Sequence, residues 1–117
     1  MHTVIARWFV KPGQEEAADA ALARLVDEVK AGEPGTLDYL VHKGAPTSLP
    51  PTAATEIVFV EVYEDEAAFL KHIKGPVFTG FLRDHGDLFE QNFPPNAGPY
   101  MATSTLERIN GFVRETC

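Results

Sequence analysis

The sequence predicts an α+β domain, an antiparallel sheet of four strands with helices packed on one face. Two observations carry this. Some stretches show the two-residue period of strands, and others repeat apolar residues every three or four positions, as helices do. The two kinds then follow one another as strand, helix, strand, strand, helix pair, strand.

His2 to Lys11 reads as the first strand, with Val4, Ala6 and Trp8 on one phase and Ile5 and Phe9 on the other. Pro12-Gly13 stops it. From Gln14 to Ala31, Ala18, Ala21, Leu22, Leu25, Val26 and Val29 recur at helical spacing and form one apolar stripe. Glu15 and Glu16 suit the positive end of that helix, and Gly32 suits its stop. Thr36 to Lys43 is a second strand. Gly44 to Ala54 is a proline-rich loop, long for a hairpin, that fits either a lid or a tolerated surface insertion.

Thr55 to Glu64 is the most apolar strand. Val58, Val60 and Val62 share one face; Ile57, Phe59, Glu61 and Tyr63 share the other. Both faces therefore require cover. Asp65 caps a helix over Glu66–Lys74, Gly75 ends it, and Pro76 opens the next. That next helix presents Val77, Phe78, Phe81, Leu82, His85, Leu88 and Phe89 at helical spacing. Gln91 to Pro99 reads as a loop, and Tyr100–Arg114 is expected to contain the last strand, near Ser104–Val113, although its LERINGFVR part also reads as helix. This order is the ferredoxin-like pattern. Its helices cover one sheet face only, so the apolar second face calls for a second copy of the chain, and a homodimer is expected.

At 117 residues, with 44% hydrophobic content, the chain suits one domain spanning residues 1–117. A formal charge of -7 argues against nucleic acid and against an anionic membrane surface. No apolar run approaches the roughly 20 residues of a spanning helix. The single cysteine, Cys117, allows no internal disulfide, and a cytoplasmic location is expected.

His72 follows Ala68 by four positions and Phe69 by three, so it shares their helix face. His85 stands four beyond Phe81. With Glu61 these are the candidate catalytic groups: a neutral imidazole is the natural base near pH 7, and a buried carboxylate is its natural companion. Trp8, Phe59, Tyr63, Phe69 and Phe81 are the candidate walls for a flat ring. Ordinary packing is the competing reading for each of them. His42, His72 and His85 lack ligand spacing, so no metal site is expected.

VKPGQ after the first strand, EPG after the first helix, the E-V-Y-E-D strand end and AAFLKHIKGPVFTGF together resemble the antibiotic biosynthesis monooxygenase family. The likeness runs over roughly Val4 to Leu88. It implies a dimeric α/β barrel, a cavity between sheet and helices, and oxygenation of a small aromatic, quinol- or polyketide-like, without a cofactor. The Asn and Trp of the family's polyketide oxygenases fall on Phe59 and Tyr63, and their helix tyrosine falls on Phe69. The haem-degrading members' residues fall near Ala6, His72 and Leu82, so neither set is matched. Glu61, Tyr63, Ala68, His72 and Pro76 match the quinol-monooxygenase-like pattern. An isomerase-like acid–base enzyme and a non-catalytic ligand-binding dimer are the alternatives the same fold allows.

Overall fold

The computed structural model describes residues 1–91 and 101–114. The chain runs β1 (His2–Phe9), α1 (Glu15–Gly32), β2 (Thr36–Lys43), β3 (Glu56–Tyr63), α2 (Glu66–Lys74), α3 (Pro76–His85), a short 3-10 turn (Gly86–Leu88) and β4 (Met101–Glu107). The four strands form one sheet in the order β2-β3-β1-β4, with every neighbouring pair antiparallel. This is the expected α+β, ferredoxin-like arrangement.

Local chemistry explains the helix ends. The Glu15 carboxylate accepts the Gly13 backbone N–H at 3.1 Å, and Gly13 takes the left-handed φ of 89° that the turn into α1 requires. Asp65 caps α2 by accepting the Ala68 N–H at 2.8 Å. Gly75 then closes α2 through its N–H to the His72 carbonyl, and Pro76 opens α3 at once. A Cβ at Gly75 would stand 2.8 Å from the Lys71 carbonyl oxygen, so only glycine allows this tight α2–α3 junction.

The faces of β3 divide as its alternation suggests. Ile57, Phe59, Glu61 and Tyr63 are buried beneath the helices. Val58 and Val60 stay partly open on the reverse face. Registry places Ile5 and Leu40 on either side of Val60. Trp8 anchors the core between Phe59, Phe78, Phe81 and Phe89, with centroid separations of 4.9–6.2 Å. A smaller cluster of Val4, Tyr63 and Phe69 lies nearer the other end of the sheet.

The last strand begins and ends earlier than the sequence suggests. β4 covers Met101–Glu107, and Arg108–Arg114 is not strand. The reason lies in its partner. Among the described residues β4 pairs with β1 alone, and His2, the first residue of β1, already faces Glu107. No described strand lies beyond that pair to hold Arg108 onward. The first helix also extends to Gly32, one residue past its expected end. Past Gln91 the predicted loop lies outside the described residues, as does Cys117.

Candidate active site

A cavity of about 350 Å³ lies between the sheet and the helix pair. Its floor is Val4, Ala6 and Trp8 of β1 with Tyr39, Phe59 and Glu61 from β2 and β3. Phe69, His72 and Ile73 of α2 and Phe78 of α3 form the roof. Thr103 and Thr105 complete one side from β4, where both are exposed to solvent. The registry sets Tyr39 beside Glu61, Glu61 beside Val4 and Val4 beside Thr105. Across this row Tyr39, Glu61 and Thr105 bring polar groups to the cavity floor, and Val4 is its apolar member.

His72 is 2% exposed and sits on the buried face of α2 with Phe69. Its ring is flanked by Tyr39, Tyr63 and Phe78, at centroid distances of 5.4, 5.7 and 5.1 Å. Nδ1 lies 2.5 Å from Glu33 Oε1, while Nε2 lies 3.5 Å from the Tyr39 hydroxyl oxygen. An ionised carboxylate only accepts, so the Glu33 contact assigns the proton to Nδ1. In the neutral ring, Nε2 then carries the lone pair. Burial lowers the His72 pKa below its ordinary value, and the Glu33 hydrogen bond and charge oppose that shift. Burial thus favours a neutral base.

Glu61 is the second buried ionisable group, 5% exposed. The Tyr63 hydroxyl, two residues on along the same strand face, donates to its Oε1 at 2.5 Å. Burial pushes the Glu61 pKa up to about 7; the Tyr63 bond pulls it down, and the nearby Glu33 charge adds to the rise. Tyr39 and Tyr63 are both held well above the ordinary phenol value, first by burial and then by the Glu61 charge. These tyrosines serve as neutral donors, not bases. A carboxyl that titrates near neutrality and a neutral imidazole share the walls of one cavity.

The sequence-predicted site residues fall into two groups. His72, Glu61, Trp8, Phe59 and Phe69 line the cavity together. Tyr63 lies behind Glu61, and Phe81 packs on Trp8 at 6.0 Å without reaching the cavity wall. His85 is not part of the constellation. It ends α3, where that helix packs against α1, and it lines an outer groove with Arg24, Glu28 and Asp84. No residue of the 44–54 loop lines the cavity either.

Two partners were not apparent from the sequence. Glu33 stands in the EPG turn, where its role looks like chain termination, and the fold carries that turn against α2. Tyr39 lies on the buried phase of β2, opposite Glu61. Its alternation with the exposed Leu40 was the available signal. Among the described residues, no three His, Cys, Asp or Glu side chains stand together to hold a metal ion, and no helix is long and apolar enough to cross a membrane.

Similarity to known proteins agrees with this architecture. The Rv0793 protein of Mycobacterium tuberculosis superposes with a TM-score of 0.71 at 22% identity, over 94% of this chain and 96% of its own. PA3566 of Pseudomonas aeruginosa superposes at 0.69 and 24% identity, over 93% and 94% of the two chains. A structure named antibiotic biosynthesis monooxygenase superposes at 0.72 and 21% identity, over 94% of this chain and all of its own. No curated protein sequence matches. The sequence profile for antibiotic biosynthesis monooxygenases matches residues 1–84, and the chain belongs to that family.

Proposed function

We propose that the chain is a monooxygenase that acts on a small, flat aromatic, quinol- or polyketide-like, and uses no cofactor. The observation that carries this reading is His72, whose Glu33-held Nδ1 leaves the Nε2 lone pair on the side of an aromatic-lined cavity. Membership of the monooxygenase family supports the same reaction class.

The chemistry follows from that lone pair. Nε2 takes a proton from an acidic phenol or from a CH2 beside a phenolic system. Apolar walls shield the resulting anion from water. The anion passes one electron to O2, and superoxide and substrate radical join at carbon. The proton held by His72 returns to form a hydroperoxide. Loss of the second hydrogen of that carbon as a proton then breaks the O–O bond. The departing hydroxide takes up that proton and leaves as water. One oxygen atom stays in the product, and O2 is the only oxidant consumed. Glu61, which titrates near neutrality beside the same cavity, is the second group able to exchange protons with the bound molecule.

The same pair favours one second reading. Two buried groups able to exchange protons near neutrality also suit an isomerase, which would turn over without O2.

A homodimer belongs to this proposal. The reverse face of the sheet presents Ile5, Val58 and Val60 beside Leu40 and Leu106, which are 51% and 46% exposed. None of the described helices covers that face. Ile109, Phe112 and Val113 are more exposed still. A partner burying about 800 Å² per chain there would match a standard interface.

Oxygen uptake on a panel of quinols and anthrones, with and without air, tests the reaction. Uptake matched by oxygenated product supports the proposal. Turnover under argon would favour the isomerase, and no turnover with any substrate would contradict both.

A further inference from the structure

We infer that Glu33 is the proton outlet of His72, linking the inner cavity to a separate outer pocket between the α1–β2 turn and the α2–α3 junction. The inference rests on His72 being the base of the inner cavity.

His72 belongs to two spaces. It lines the inner cavity, and it also lines an outer pocket of about 480 Å³ with Glu33, Gly35, Lys71 and Gly75. The two ring nitrogens are divided between them. Nε2 is directed to Tyr39, an inner-cavity residue, and Nδ1 to Glu33, an outer-pocket residue. His72 therefore stands between the two spaces, with one ring nitrogen turned to a residue of each. Glu33 Oε2 is buried and has no hydrogen-bond donor among the described residues, so this oxygen can hold a proton.

The transfer balances. When Nε2 takes a proton from a bound molecule, the Nδ1 proton moves to Glu33. His72 stays neutral with its proton relocated to Nε2, Glu33 becomes a neutral acid, and the negative charge passes to the bound molecule. No new pair of charges is created in a site shielded from water, where each separated charge is costly. The reverse shift returns the proton when the product needs it. The other groups facing this path are the Tyr39 hydroxyl from β2, the Glu61–Tyr63 pair from β3, and Lys71 with Glu64 and Asp65 around the outer pocket. Glu33 is the group among these that touches the imidazole Nδ1.

The test combines nitrogen NMR of histidine-labelled full-length protein with kinetics on quinol and anthrone substrates. His72→Gln identifies the His72 signals. The wild type is expected to hold its His72 proton on Nδ1. Glu33→Gln keeps an acceptor oxygen at that nitrogen but cannot take the proton on. This variant should keep the Nδ1–H form, slow solvent exchange of that proton at least tenfold, and lower kcat about 10–100-fold with KM little changed. Glu33→Ala opens the outer pocket, and added formate should restore part of its exchange rate and kcat. A wild-type His72 with its proton on Nε2 overturns the inference without any variant. Wild-type exchange and kcat in Glu33→Gln also overturn it, because a purely positioning carboxylate is replaced by the amide. Expected NMR results with no oxygen uptake on any substrate would leave the proton path standing and remove the oxygenase reading.

Discussion

His72 Nδ1 and Glu33 Oε1 lie 2.5 Å apart although 39 positions separate them in the chain. Glu33 follows α1 at its C-terminal end, while His72 faces inward from α2. The contact therefore forms only when both helices are seated on the sheet. It also fixes which imidazole nitrogen faces the cavity.

Replacing His72 by Gln should lower kcat by about 10²–10⁴-fold, the usual contribution of a positioned base. The amide fills similar space among Tyr39, Tyr63 and Phe78, so the fold should survive. Circular dichroism alongside single-turnover kinetics separates the two effects.

Glu61 should make stability depend on pH. Its folded-state pKa of about 7 stands above the ordinary 4.5, so between those values the native state binds more protons than the unfolded chain. Its contribution is complete below about pH 4.5 and is lost as pH rises through 7. His72 acts in the opposite direction: its lowered pKa removes stability as pH falls below the ordinary imidazole value. Glu61→Gln should therefore gain stability relative to wild type as pH rises, on the order of 3 kcal/mol by pH 8. Urea unfolding of both proteins at pH 5 and pH 8 measures the difference.

Tyr63→Phe removes the donor that lowers the Glu61 pKa. Glu61 should then titrate at higher pH than in the wild type, and stability should fall by about 1–3 kcal/mol for the lost buried bond. Carbon NMR of labelled glutamate reports the titration directly. An unchanged midpoint would mean that the Tyr63 bond does not tune Glu61.

Val60 lies at the centre of the open sheet face, between Ile5 and Leu40. Val60→Asp should convert a homodimer to a folded monomer in sedimentation velocity. A wild-type protein that sediments as a monomer would contradict the dimer.

Much of the fold was legible because period and punctuation agreed. Thr36–Lys43 and Glu66–Lys74 stand where alternation, the Asp65 cap and the Gly75-Pro76 stop put them. The split of β3 into a Phe59–Glu61–Tyr63 face and a valine face was equally visible, because its side chains alternate strictly. β4 was misplaced because its limits depend on β1, a partner about a hundred residues away that its own composition cannot report. Glu33 and Tyr39 were missed for a related reason. Each sits in a stretch whose local role, a turn and an edge strand, already explains it; only the tertiary approach of α2 gives either a second role. His85 misled in the opposite way. Its spacing from Phe81 is helical, but at that point α3 faces α1 instead of the cavity.

The most direct test of His72 as the base of an oxygen-consuming site is oxygen uptake by wild type and His72→Gln on the best substrate of a quinol and anthrone panel. Uptake with oxygenated product in the wild type, reduced at least a hundredfold in a folded His72→Gln, is the expected result. Equal uptake by the two proteins would contradict it.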